Sequence, residues 1–297
     1  MAKWTQEEIG FLKDNYPIKG GVYCAKSLNR GYTSINNKAS KLNIRVISEN
    51  HFNFKDRIGE KFLTNEGYEV EVIKYEGVYK CTIQFNDTNK TVLHKVQYGN
   101  LIKGDVTNPY HPSVHGVGYI GIGKYKPKTD KKAVSVWRSM FSRCYSESYN
   151  NNFPTYKYVT VCEMWHNFQV FAEWFYENYK ENFELDKDIL VKGNNVYSNK
   201  TCSFVPKEIN YLFTKRQNRR GEYPIGVAVD KNGKFRATFT RDGIQVYLGR
   251  YSTPEEAFKA YKIAKEKYIK EVADIWKPSI DQKVYKAMYN YKIEITD

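Results

Sequence analysis

The chain has little histidine, five residues in 297, and only five cysteines, with no close pair among them. Zinc sites in small domains ordinarily carry at least one Cys-x-x-Cys-type pair. Cys24, Cys81, Cys144, Cys162 and Cys202 therefore point away from a zinc module, and their odd number points away from a disulfide framework. They read as buried free thiols in a reducing cytosol. There is no apolar run of the roughly 18 residues a membrane span needs, and the opening MAKWTQEEIG lacks the apolar core of a secretory signal. A soluble chain with no membrane partner is expected. Acidic residues are also short, 33 against 47 Lys and Arg, for a net charge of +14. Such a surplus attracts polyanions, nucleic acid first among them.

Aromatics are plentiful, with 26 tyrosines, and many alternate with Lys and Asn. That mixture suits nucleic-acid contacts and also plain Tyr-rich packing. The length allows two or three domains. In residues 1–48, Thr5 and Glu8 have capping-box spacing, Trp4, Ile9 and Leu12 supply an apolar face, and Gly20–Gly21 break the chain. A second short helix follows through Val22, Ala25 and Leu28. The third helix sets Ile35, Ala39 and Leu42 inward and Asn36, Asn37 and Lys41 outward, as a major-groove reader would. Residues 52–110 alternate with period two in YEVEVIKY, YKCTIQF and TVLHKVQY, which predicts a small β-barrel-like module or a curled sheet. Residues 111–132, rich in Gly, Pro and Lys, read as a flexible basic linker. Within them, Pro112, Gly116 and Gly118 forbid the helix on which His111 and His115 would be a metal pair.

Residues 133–213 contain two helical faces, Trp137, Met140, Phe141 and Cys144, then Trp165, Phe168, Ala172 and Phe175. Residues 223–297 read as three strands with DKNG and RDG turns and a helix opened by Thr253, Pro254 and Glu256. One sheet face, with Phe235, Ala237, Phe239, Ile244, Val246 and Leu248, packs on the helix. The other presents Arg236, Thr238, Gln245 and Tyr247 to a major groove. Lys215, Arg216, Arg219 and Arg220, just before the first strand, add backbone contacts.

Three resemblances follow from these stretches. WTQEE and SINNKASKL resemble the Myb/SANT-like helix-turn-helix of phage DNA-binding proteins. YPIGV, GKFRATF and YLGRYSTPEEAFKAY resemble the APETALA-two/ethylene-response-factor DNA-binding domain. WRSMFSRCY, VTVCEMWHNFQVFAEWF and LDKDILVKGNNVYSNKTCSFVP resemble the HNH-type endonucleases, many of them homing enzymes, that precede such a domain in phage proteins. Together they imply a modular α+β protein: a three-helix bundle, the small β module, a degenerate HNH core of the ββα-metal type, and a sheet-plus-helix reader.

The HNH resemblance implies one divalent ion, Mg²⁺ or Mn²⁺, and puts the catalytic positions at Asp186, Lys187 and Asp188, with Asp186, Asp188 and Asn210 as metal ligands. Two departures stand out. Lys187 occupies the place of the histidine base, and Thr201 that of the second ligand. On a continuing strand, Asp186 and Asp188 would share a face and hold the ion; in a turn they would not, and Lys187 would be a fixed cation. Neutral lysine, able to act as a base, would need a burial that this polar segment does not promise. The expectation is a sequence-selective double-stranded-DNA-binding protein of a bacterial host cytoplasm that cleaves weakly or not at all. An active homing-type endonuclease, and a phage protein that acts by binding a host protein, are the alternatives. The target sequence and oligomeric state are not legible.

Overall fold

Helix α1 (Gln6–Ser27) opens on the capping box, with Thr5 Oγ1 accepting from the Glu8 amide at 3.2 Å and Glu8 Oε2 from the Thr5 amide at 2.9 Å. The computed structural model describes residues 3–46, 57–213 and 222–297, in an α+β chain of two compact units, Met1–Asn108 and Pro109–Asp297. Helix α1 is kinked at Gly20, so with α2 (Tyr32–Lys41) it makes three helical segments around Leu12, Cys24, Ile35 and Ala39. Val22, an apolar residue of the second segment, is 72% exposed. The kink reorients the following turn, and Cys24 takes the core position instead.

In the same unit, β1 (Lys61–Leu63), β2 (Glu69–Tyr75), β3 (Cys81–Phe85) and β4 (Val92–Val96) pair antiparallel in chain order. The sheet is open, so of the two forms the alternation allows, barrel and curled sheet, the barrel does not close. Its apolar face, Val70, Val72, Cys81, Ile83 and Phe85, packs with Tyr98 and Leu101 of α3 (Tyr98–Lys103). A helix supplies the burial that barrel closure would otherwise provide.

In the second unit, residues 111–132 are not a free linker. Val114, Val117, Ile120 and Tyr125 pack on the core, and the Gln169 side chain bonds Tyr125 N at 3.0 Å, Ile120 O at 3.1 Å and Tyr125 O at 2.9 Å. Composition suggests flexibility, but spaced apolar anchors and one amide clasp the backbone. Helices α4 (Lys131–Tyr145), α5 (Glu147–Asn152) and α6 (Phe168–Asn178) follow, with the short β5 (Thr160–Val161) between the last two. Trp137, Met140, Phe141, Cys144, Trp165, Phe168, Ala172 and Phe175 are all buried together.

Strand β5 pairs in parallel with β7 (Val196–Tyr197), while β6 (Phe183–Asp186) pairs antiparallel with β8 (Ser203–Pro206), which leads into α7 (Lys207–Phe213). Strand β9 (Val227–Val229), β10 (Phe235–Arg241) and β11 (Ile244–Tyr251) form an antiparallel sheet ordered β11-β10-β9, followed by α8 (Pro254–Trp276) and α9 (Gln282–Tyr289). Alternate residues of β8 face two cores. Phe204 joins the Trp137–Phe175 cluster, whereas Val205, with Ile189 and Ile209, joins Phe239, Phe258 and Ile269 of the sheet and α8. The segments 133–213 and 223–297, separate modules by sequence, thus share a hydrophobic cluster. Glu208 also accepts a hydrogen bond from the Trp276 indole at 2.8 Å. Among the described residues, no helix is long and apolar enough to cross a membrane.

Candidate nucleic-acid interface

Two residues turn β10 into a carrier of an open polar face. Ala237 and Phe239 point to the core at 0% and 8% exposure, so Arg236, Thr238 and Thr240 point the other way. Helix α8 covers the inner face through Ala257, Phe258 and Tyr261, and its Thr253–Glu256 capping box fixes where it starts. The glycine of YPIGV has a positional reason: Gly226 has φ +78°, and a Cβ there would lie 2.0 Å from Tyr261 Cδ2. Only glycine lets the chain entering β9 pass that close to the helix.

Sequence reasoning missed Arg250. Strict alternation through Ile244, Val246 and Leu248 would put residue 250 on the inner face. The ladder runs Arg236↔Arg250 and Ala237↔Gly249, then shifts to Thr238↔Tyr247. This bulge at Leu248–Gly249, with Gly249 at φ +133°, flips the parity. Arg250 therefore stands opposite Arg236 on the open face, its side chain 59% exposed and its Nε 2.8 Å from Asp230 Oδ2. Asp230 is held well ionised, first by the Asn232 amide, then by the Lys234 amide and the two arginines. A glycine inside an otherwise regular strand was the available signal. Gln245 and Tyr247 are exposed, with Gln245 Nε2 3.4 Å from Thr238 Oγ1. Ile244, expected on the inner face, is 70% exposed because it begins β11 at the turn.

The second element is the β6–β8 hairpin and α7, a strand–strand–helix unit. Strand β6 stops at Asp186, so the expectation that Asp186 and Asp188 share a strand face fails. Asp186 Oδ1 accepts instead from the Asp188 amide at 2.8 Å and the Ile189 amide at 2.7 Å, which turns the chain. Burial, the largest influence, raises the Asp186 pKa above the usual carboxylate value. Lys187 also departs from expectation, since its side chain is only 9% exposed. Its Nζ donates to Asp188 Oδ1 at 2.7 Å, Asp188 Oδ2 at 2.9 Å and Asn194 O at 2.9 Å. The two oxygens of the Asp188 carboxylate share one N–H direction and the Asn194 carbonyl takes a second, so the side chain is held as a donor between them. The Asn194 side chain closes the loop, its Nδ2 reaching Lys187 O at 2.8 Å.

The other expected ligands are engaged as well. Asn210 Nδ2 donates to Glu184 Oε2 at 2.7 Å, and Thr201 Oγ1 bonds Val196 O and Ser198 Oγ, each at 2.8 Å. Among the described residues, no group of three His, Cys, Asp or Glu side chains is arranged to hold a metal ion. Of the three donors proposed for Mg²⁺ or Mn²⁺, Asp188 binds the Lys187 ammonium, Asp186 holds the turn through two backbone amides, and Asn210 donates to Glu184.

On α2, Asn37 and Lys41 are exposed, while Asn36 is half-buried and accepts a hydrogen bond from Tyr16 Oη at 3.0 Å, which ties it to the bundle. Lys215, Arg216, Arg219 and Arg220 lie outside the described residues. Comparison of the chain with protein-family models, with curated proteins and with solved structures finds no match in any of the three.

Proposed function

We propose that this chain is a sequence-selective double-stranded-DNA-binding protein whose nuclease-like hairpin does not cut. The observation that carries the reading is the open face of the β9–β11 sheet, where Arg236 and Arg250 are cross-strand partners beside Thr238, Gln245 and Tyr247. Arginine forks recognise guanine edges in the major groove, glutamine recognises adenine, and a two- or three-stranded ribbon fits that groove. The net charge of +14 supplies the sequence-independent attraction. The exposed Asn37 and Lys41 of α2 make the N-terminal helices a second reader, and two readers in one chain strengthen binding through effective concentration.

The hairpin retains the strand–strand–helix order of a ββα-metal nuclease with its chemistry replaced. The Lys187 ammonium is the resident cation, with Asp188 and the Asn194 carbonyl as its ligands, and it takes the place where a histidine base would activate water. The test is binding to randomised duplexes with Mg²⁺ or with chelator. The reading requires the same preferred sequence in both, with intact DNA recovered. Cleavage that needs Mg²⁺ or Mn²⁺ and disappears in Asp186→Ala would establish the endonuclease reading instead.

A further inference from the structure

Beside the hairpin, the Arg143 guanidinium lies half-buried in the last turn of α4 with no carboxylate partner among the described residues. Its one hydrogen bond is long, Nη1 donating to Tyr197 Oη at 3.4 Å. A guanidinium carries five N–H donors, and buried cations are ordinarily paired. The last turn of a helix favours a cation but uses none of those donors.

The surroundings are tyrosine. The phenol side chains of Tyr197, Tyr156 and Tyr149 are neighbours of Arg143. Tyr149 and Tyr156 meet edge to face at 5.4 Å, and among the described residues neither hydroxyl has a hydrogen-bond partner. Tyr156 also places the cluster against the hairpin, its ring 5.7 Å from Lys187 Nζ. Asp188 is paired with Lys187, and no carboxylate among the described residues pairs with Arg143. A fork of unused N–H donors beside hydroxyls able to donate is the donor set for a tetrahedral oxyanion.

We propose that Arg143, flanked by the half-buried Tyr149 and Tyr156 and backed by the fully buried Tyr197, is a phosphate subsite that takes one backbone phosphate of duplex DNA against the hairpin. This rests on the DNA-binding reading, and it gives the hairpin a task, anchoring the backbone, that needs no metal. A single phosphate contact fixes position and carries no base preference.

The test is duplex binding by the full chain as a function of salt, for wild type, Arg143→Gln and Arg143→Lys. Loss of one phosphate contact should make the slope of log K against log salt shallower by about 0.9 in Arg143→Gln and weaken binding about tenfold at fixed salt. Sequence preference should stay as in wild type, and Arg143→Lys should recover the slope. A Gln variant that melts like wild type and binds with the same slope and affinity overturns the proposal. The wild-type protein gives a second reading without DNA. Its Arg143 Nε–Hε resonance, assigned from the Lys variant, should shift on titration with inorganic phosphate, and an unmoved resonance also overturns the proposal. If wild type binds no duplex DNA yet the resonance shifts, the DNA reading falls and the phosphate subsite stands, with a phosphoprotein as the ligand to seek.

Discussion

Replacing Lys187 with alanine should destabilise the Pro109–Asp297 unit by about 3 kcal/mol, and the structure shows where that comes from. Among the described residues, the ammonium is the hydrogen-bond donor to the Asn194 carbonyl and the counter-charge of Asp188. Asp188 is 46% exposed and can rehydrate, so its lost ion pair counts as a surface pair, at most about 1 kcal/mol. The stranded carbonyl costs about 1–3 kcal/mol, and the emptied aliphatic stem about 0.8 kcal/mol for each methylene left without contacts. For a unit of this size, a loss near 3 kcal/mol lowers the melting temperature by roughly 6–12 °C. Lys187→Met, which keeps the stem, should lose about half as much. A double-mutant cycle with Asp188→Ala should return a coupling near 1 kcal/mol. Calorimetry with Mg²⁺ or with chelator reads all of these. Wild type should melt at the same temperature in both. If Lys187→Ala melts within a degree of wild type, or if Mg²⁺ stabilises the wild-type unit, the ammonium is not the cation that holds this loop.

Other substitutions probe neighbouring groups. Asp186→Asn keeps the oxygen that accepts from the Asp188 and Ile189 amides and removes a carboxylate whose pKa burial raises. Below about pH 3.8 both folded and unfolded chains are protonated and the variant should gain nothing. As pH climbs from there through the raised folded value, wild type loses stability, so the variant should melt higher at pH 7, with the gap closing in acid. A lower melting temperature at pH 7 would refute this. Lys265 has its pKa lowered to about 8 by burial in a pocket lined by Leu212, Phe213, Ile225 and Ile269. Its penalty is complete below pH 8 and relieved between about 8 and 10.5, so Lys265→Met should stabilise at pH 7 by at most about 3 kcal/mol and lose that advantage by pH 10.5. A pH-independent difference would contradict it. Arg250→Ala should flatten the DNA sequence preference at one or two positions, worth about 1–3 kcal/mol of discrimination, as Arg236→Ala should. A uniform loss across all sequences would make Arg250 a phosphate contact.

The elements with strong local signals were legible. Capping boxes at Thr5 and Thr253 marked helix starts to the residue, and period alone identified the apolar faces of α4 and α6, though Trp165, read onto the second face, sits in a short 3-10 turn just before α6. What escaped depends on long-range packing. Nothing in YEVEVIKY says that a helix rather than a fourth edge will cover the sheet, so the barrel did not close. The residues 111–132 look flexible until Gln169, distant in sequence, reaches them. At the candidate site, Arg236, Thr238, Gln245 and Tyr247 followed from alternation, whereas Arg250 required a bulge. The burial of Lys187 was not legible in the sequence; it arises because the chain turns at Asp186 and brings the Asn194 carbonyl to the ammonium.

The central claim is tested most directly by selecting bound duplexes from a randomised library with the full chain, once in Mg²⁺ and once in chelator, and sequencing both bound and cleaved pools. The expected result is one preferred sequence common to both conditions, lost together in an Arg236→Ala/Arg250→Ala double variant, and no cleaved pool. Cleavage confined to the Mg²⁺ sample, or binding with no sequence preference in either, would contradict it.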